Sequence, residues 1–344
     1  MLDQEVNLFH DHQPSLDVEN IATPRPASEC SWEAMSAQSW LNCYIDARQR
    51  ELANLGEATS TPSLANLFAG LVNGELSNKA EEISWLELRL LLHPLQALIY
   101  HLNKTSSSNF RPNNQAHWQR FCLQVEEIQH LLKQWYDIAK QNILSGDNIS
   151  YQGCCAMIVY HLISLNAVTY FPDIERLARG QISMAEFKES IWTERRYVKN
   201  LPFIWCHCGQ ILRYFRMLPK SRRPHWWSAS IYRVALSLWA TELAKEHISN
   251  KSKPKTLLKP LSVDTVPFHH PSIVRFLQHE DQIPEISHTD GSPAILNGPV
   301  DIIKLNIAFL DEQAPLSKFS QGIRTRLGML VDRIIDKRIS HLDI

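Results

Sequence analysis

The sequence predicts an all-α protein, and three observations lead to this prediction. Apolar residues recur at three- and four-residue spacing along most of the chain, as they do on the buried face of a helix. Only 11 of the 344 residues are glycine, which argues against a turn-rich β architecture. Ten tryptophans supply large rings of the kind that fill contacts between helices. We therefore predict a multi-helix array, with 44% apolar and 21% charged residues typical of a globular core.

The array is centred on a helical hairpin. Apolar residues share one helical face in residues 201–218, and the same period resumes in residues 227–247. Pro219 and Pro224 bound the turn between the two helices, because proline interrupts a helix. Gly209 lies inside the first helix, where glycine costs ~1 kcal/mol relative to alanine. Its presence there predicts a close approach of another part of the chain.

Several helices are predicted before the hairpin. Ser84 with Glu87, and Ser183 with Glu186, have the spacing of capping boxes that begin helices. Pro94 is expected to bend the helix that contains it. The predicted helical segments are 32–55, 62–72, 84–102, 115–141, a segment starting at 151, 172–179 and 183–197.

The uncharged run 151–172 is about as long as a membrane span. It contains His161 and Asn166, however, and Pro172 closes it. We predict a buried core helix here rather than a membrane span.

After the hairpin, the chain is predicted to continue through a linker and three more helices. The linker is 250–267, and the helices are 270–279, 299–310 and 316–335. The only strand region expected is 283–296, as one small β-hairpin with its turn at Asp290 and Gly291.

The first 31 residues are predicted to be a disordered acidic tail, ahead of one helical domain over 32–344. The segment has six acidic residues and one basic residue, Arg25, and its prolines prevent a long helix. Its acidic and hydrophobic mixture is typical of an activation segment. We favour a plain unfolded terminus over an activation segment.

The seven cysteines predict reduced thiols inside a cell, since their number is odd and no secretory signal precedes them. Cys206 and Cys208 project about 200° apart on a helix, so both thiolates cannot reach one ion. We predict no metal, no other cofactor, no catalytic residue and no enzymatic activity. An all-α terpene cyclase is a minor alternative. Terpene cyclases hold magnesium with an aspartate-rich motif, and this sequence lacks that motif.

The span 195–241 contains nine lysine or arginine residues and no acidic residue. A solvated basic face is one interpretation. The other is a patch for phosphate or for an acidic partner segment, although the net charge of the whole chain is only −1. The candidate partner-binding patch consists of Arg213, Arg216, Lys220, Arg222 and Arg223.

Four segments, in this order, resemble the fungal-specific transcription factor domain, also called the middle homology region. They are Ile158–Thr169, Phe171–Arg179, His207–Arg213 and Arg222–Ala229. The resemblance covers approximately 84–335 and is greatest to members that carry two-Cys-two-His zinc fingers. It implies a transcriptional regulator in the nucleus, with an all-α domain that controls activity or mediates protein contacts. The implied partners are other transcription factors or co-regulators, in a homo- or heterodimer, and no membrane.

The sequence departs from that family in one respect. Cys30 and Cys43 are its only cysteines before residue 122, and neither has a metal-ligand neighbour. We therefore expect contact with DNA to be indirect or non-specific. Two hypotheses follow: a regulator, such as one controlling a gene cluster, that reaches DNA through a partner, or a helical scaffold that acts as a dominant-negative partner of full-length factors.

Overall fold

A computed structural model describes most of the chain: residues 8–9, 30–31, 34–54, 63–76, 83–109, 115–144, 149–187, 200–249, 259–294, 296, 298–313 and 315–340. Helices dominate these residues, and the two strands found among them are only four residues long. The all-α prediction is confirmed. The helices are α1 (Ala37–Asn54), α2 (Leu64–Val72), α3 (Trp85–Asn109), α4 (Gln115–Leu144), α5 (Tyr151–Val168), α6 (Phe171–Ala178), α7 (Leu201–Met217), α8 (Trp227–Ser249), α9 (Pro271–His279), α10 (Pro299–Asp311) and α11 (Lys318–Ser340).

The helices pack as a continuous array in which α5 and α7 form the central contact. On one side, α5 packs against α3 and α4, and α2 lies against both of these. On the other side, α7 packs against α8, which contacts α6, α10 and α11. One apolar core therefore runs through the array from Leu71 to Leu330.

Side-chain caps begin several of these helices, as their sequences predict. The Ser84 backbone N–H donates to the Glu87 carboxylate at 2.8 Å, and the Glu87 N–H donates to the Ser84 hydroxyl at 3.3 Å. Ser183 and Glu186 form the same reciprocal pair at 2.6 and 3.2 Å. These bonds satisfy backbone donors that a helix leaves free at its first turn. Of the helix predicted from 183 to 197, only the part up to 187 lies within the described residues.

Helix α5 is the buried core helix that its composition predicts. Apolar residues surround it on all sides, and nearly all of its side chains are buried. Within the described residues no single helix has the length and composition of a membrane span. Only the pair α5 and α6, bent by 84°, passes that test together.

Part of the expected linker is folded against α7 instead. Residues 250–258 lie outside the described residues, but 259–267 pack on the hairpin, and Val263 is fully buried. A Cβ atom on Gly209 would lie 2.6 Å from Val263 Cγ2 and 2.8 Å from the Val263 carbonyl oxygen. The Gln210 amide donates to the Val263 carbonyl at 2.8 Å. The close contact predicted at Gly209 is thus confirmed, and its partner is the segment assigned to the linker.

The strands differ from the small β-hairpin predicted within 283–296. Strand β1 (Lys259–Ser262) pairs in parallel with β2 (Gln282–Glu285), and α9 connects them. The turn at Asp290 and Gly291 does form, but it closes a single antiparallel bridge between Ser287 and Pro293. Proline has no N–H to donate, which limits a ladder on that side. We call residues 259–294 the β lobe.

Helix α1 differs from the others because its apolar residues are exposed. Trp40, Leu41, Tyr44 and Ile45 keep between 42% and 48% of their surface accessible. Most of the predicted acidic tail lies outside the described residues. Of the part that is described, Leu8 is buried in the core and Phe9 packs against it.

Candidate functional site

The candidate site is the turn between α7 and α8, where the sequence places its basic patch. Helix α7 ends at Met217, and Pro219 follows it. Residues Lys220–Arg222 then form one turn of 3-10 helix, and Pro224 precedes α8. The fixed backbone angle of proline confines the turn at both ends. The turn is therefore a short rigid connection whose side chains are positioned by the helices on either side.

Arg216 is largely buried, with 19% of its side chain exposed. Its Nη2 atom lies 2.6 Å from Asp264 Oδ2 and donates to the Ser287 carbonyl at 2.9 Å. The Asp264 side chain is fully buried and also accepts the Ser287 backbone N–H at 2.8 Å. The guanidinium lies 5.5 Å from the Phe309 ring centroid. Arg216 thus ties α7 to the β lobe.

Arg223 is also held inside the protein. Its side chain is 2% exposed, and its Nη2 lies 3.4 Å from Glu312 Oε2. The guanidinium lies 5.0 Å from the Trp227 ring and 5.4 Å from the Phe309 ring. Burial lowers the pKa of this guanidinium from its ordinary value, whereas the Glu312 carboxylate raises it. Arg223 connects the turn to the end of α10.

The other three residues of the patch lie nearer to solvent. Arg213 is half-buried, 5.5 Å from the Tyr214 ring centroid. Lys220 and Arg222 are exposed, and Arg222 lies 4.9 Å from the Tyr151 ring centroid. Hence the structure does not bring all five residues onto one surface. The free basic surface of the turn consists of Lys220 and Arg222.

Of the remaining basic residues in the span, Arg233 is buried on α8 and donates to Asn166 Oδ1 at 2.8 Å. Arg195, Arg196 and Lys199 lie outside the described residues. Whether the patch binds a partner stays a prediction. Its residues combine structural ion pairs with a small exposed basic turn.

A pair of histidines connects α5 and α7 in the core. His161 Nδ1 and His207 Nδ1 are 2.9 Å apart, so one ring donates its N–H and the other accepts it. Burial lowers the pKa of His207 to about 3. Burial, followed by the neighbouring His207 and then Arg213, lowers the pKa of His161 well below its usual value. Both rings are therefore neutral at pH 7.

Cys206 and Cys208, on either side of His207, are fully buried. Burial raises the pKa of both thiols, which keeps them protonated. Across the part of the chain that the structure describes, no group of three or more His, Cys, Asp or Glu side chains is placed to hold a metal ion. All seven cysteines lie in that part, and none of them forms a disulfide bond there.

Sequence reasoning missed two surface features. One is a cleft of about 370 Å³ between α6, α8 and α11, whose lining combines apolar side chains with guanidinium groups (Leu236, Leu327, Leu330, Arg179, Arg326 and Arg333). The other is the place where Phe9 stacks on Trp226, with ring centroids 6.0 Å apart. No spacing rule could find either, because both join residues that are distant in sequence.

The chain is similar to several longer proteins. Transcription factor 1 from Elsinoe fawcettii is 35% identical over 338 residues, which cover 96% of this chain and 35% of that protein. A transcription factor from Zymoseptoria tritici is 31% identical over 96% of this chain and 36% of its own length. Transcription factor PfmaH from Pestalotiopsis fici is 30% identical over 95% of this chain and 34% of its own length.

No family model matches the sequence, and no solved structure matches it. The chain spans about one third of the length of the curated relatives named above. The chain is therefore similar, over nearly all of its own length, to one part of fungal proteins that are named transcription factors.

Proposed function

We propose that this chain is the regulatory region of a fungal transcriptional regulator and that it acts through protein contacts. The observation that supports this is the similarity to proteins named transcription factors over about 96% of the chain. The four segments that resemble the middle homology region fall on α5, α6, α7 and the start of α8, which form consecutive parts of one core. The proposal includes a nuclear location, control of a gene cluster and no enzymatic role.

The contact surface that we propose is the exposed part of the basic turn. Lys220 and Arg222 point to solvent on a backbone confined by two prolines, whereas Arg216 and Arg223 are engaged in internal ion pairs. A rigid, cationic turn suits an acidic segment of a partner, because the turn loses little conformational freedom on binding.

The experiment tethers the full chain to an unrelated DNA-binding domain in a fungal reporter strain. We expect the fusion to alter transcription of the reporter. The double variant Lys220→Glu and Arg222→Glu should weaken that effect without unfolding the protein. Lys304→Glu, an exposed lysine on α10, is the matched control and should retain the effect.

A second candidate function is a scaffold that pairs with full-length factors. The exposed apolar residues of α1 favour it, since an apolar helical face of this kind is a common site of protein contact. A silent reporter, together with loss of reporter activity when the chain is co-expressed with a full-length relative, would support the scaffold and contradict the first proposal.

A further inference from the structure

The N-terminal segment makes a contact with the hairpin that its composition does not predict. Leu8 is 2% exposed and belongs to the main core, whereas the sequence predicts an unstructured tail. Phe9 stacks on Trp226 with ring centroids 6.0 Å apart and an angle of 27° between the planes. Two adjacent apolar side chains therefore anchor this segment on the protein.

The surface that receives Phe9 is built from the hairpin and α6. Trp226 lies just before α8 and packs edge-on against Phe215 of α7, at 6.2 Å. Arg233 of α8 lies 5.9 Å from the Phe9 ring and 4.2 Å from the Phe171 ring. The Phe9 ring is thus close to both an indole and a guanidinium, and both of these groups favour aromatic side chains over aliphatic ones.

The charges of the two partners are complementary. Residues 1–20 contain five acidic residues and no lysine or arginine (Asp3, Glu5, Asp11, Asp17 and Glu19). The span 195–241, which includes the hairpin, contains no acidic residue. Its exposed cations in the described hairpin are Lys220 and Arg222, because Arg216 and Arg223 are held in internal ion pairs. Opposite charges on the two segments favour their association and suppress binding of basic segments.

We propose that this part of the hairpin, formed by Phe215, Trp226 and Arg233, is a binding surface for an acidic segment with a Leu-Phe pair. Its resident occupant is the chain's own segment around Leu8 and Phe9. Because the segment is part of the same chain as the surface, its effective concentration there is high. An acidic partner would have to displace it, so the contact is autoinhibitory; only this last consequence rests on the proposed function.

The test uses chymotrypsin, which cleaves after aromatic residues, on the full chain. The rate of cleavage between Phe9 and His10 is measured by mass spectrometry and compared with that of a synthetic peptide of residues 1–20. A docked bond is cut only when it opens, so we expect cleavage at least about tenfold slower in the full chain. Equal rates in chain and peptide would overturn the proposal.

The variant Leu8→Ala removes the buried anchor and leaves Phe9 in place. It should accelerate cleavage after Phe9 by about tenfold, relative to a peptide with the same substitution. Phe319→Ala, an exposed phenylalanine on α11, is the control and should leave the rate unchanged. Protection that persists in Leu8→Ala at the wild-type level would also overturn the proposal.

The reporter assay separates this inference from the proposed function. Protection of Phe9 with a silent reporter would mean that docking is real and that the regulatory function fails. An active reporter with an unprotected Phe9 would mean the reverse. If both hold, Leu8→Ala should increase the effect of the tethered chain on transcription.

Discussion

Arg216 and Asp264 form an ion pair across 2.6 Å, and the Asp264 side chain has no exposed surface. Removing the Asp264 carboxylate leaves the largely buried Arg216 guanidinium without its charge partner, and the loss of one partner of a buried pair costs about 3–5 kcal/mol. We therefore expect Asp264→Ala to lower the free energy of unfolding by that amount in urea denaturation. The variant Asp281→Ala breaks the more exposed pair with Arg275 and should cost under about 1 kcal/mol. Equal losses in the two variants would mean that the β lobe is not anchored through Arg216.

The contact between Gly209 and Val263 predicts a second set of variants. A Cβ atom at position 209 would overlap Val263, so Gly209→Ala should destabilise the protein by about 1–3 kcal/mol. Gly322 on α11 has no atom within 4 Å of such a Cβ, and Gly322→Ala should instead stabilise by about 0.5–1 kcal/mol. Thermal unfolding of both variants checks this. A neutral Gly209→Ala would contradict the packing of the β lobe on α7.

The buried histidines predict a dependence of stability on pH. His161 and His207 have pKa values far below 6.5 in the folded protein, that of His207 being about 3, while both titrate near 6.5 in the unfolded chain. Below pH 6.5 the unfolded state binds more protons, so stability falls as the pH falls. We expect a loss of about 2–3 kcal/mol between pH 7 and pH 5.5 from this pair.

Urea denaturation at several pH values measures this loss. His161→Gln removes one of the two titrating groups and should halve the contribution of the pair. His225→Gln, at an exposed position, should leave the dependence unchanged. A wild-type dependence retained in His161→Gln would contradict the assignment.

Substitutions on the buried face of the hairpin should cost more stability than a substitution in its exposed turn. Ile211 and Leu238 are fully buried, so Ile211→Ala or Leu238→Ala should cost about 2–5 kcal/mol of unfolding free energy. Lys220→Ala, in the exposed turn, should cost under about 0.5 kcal/mol. Similar losses at 220 and 238 would show that the helix faces are misassigned.

The fifth prediction concerns DNA. Arg216 and Arg223 are engaged in internal ion pairs, so few side chains of the basic patch can reach phosphates. We expect this chain alone to bind random DNA pools without sequence preference, no tighter than ~10⁻⁶ M at physiological salt. A consensus sequence enriched by selection with the chain alone would contradict this expectation.

Helix positions could be predicted from the sequence because local periodicity and caps determine them. The pair Ser84 and Glu87 marks the start of α3 in the sequence and in the structure alike. The β lobe could not be predicted, because β1 is four residues of linker-like composition that pair with a strand more than twenty residues later. The β lobe packs on α7 through the contact between Val263 and Gly209. The sequence indicates a close contact at Gly209, but it does not indicate that Val263 makes it.

The position of the basic turn could be predicted from the sequence, but the burial of each of its side chains could not. A count of basic residues locates the turn, but it cannot separate Arg223, packed on Trp227 and Phe309, from Arg222 at the surface. That difference depends on where α10 lies, which no local pattern encodes. The sequence likewise predicts that Leu8 and Phe9 belong to a disordered tail, because their contacts are with residues that are distant in sequence.

The packing of Val263 on α7 also implies an order in which parts of the protein fold. Gln210 and Val263 are 53 positions apart in the sequence. Bringing them into contact closes a long loop of chain and costs conformational entropy, which slows the formation of this contact. Gly209 and Gln210 present a surface to Val263 only after α7 has become helical. The β lobe therefore docks late, and substitutions such as Val263→Ala should mainly accelerate unfolding while leaving the folding rate almost unaltered.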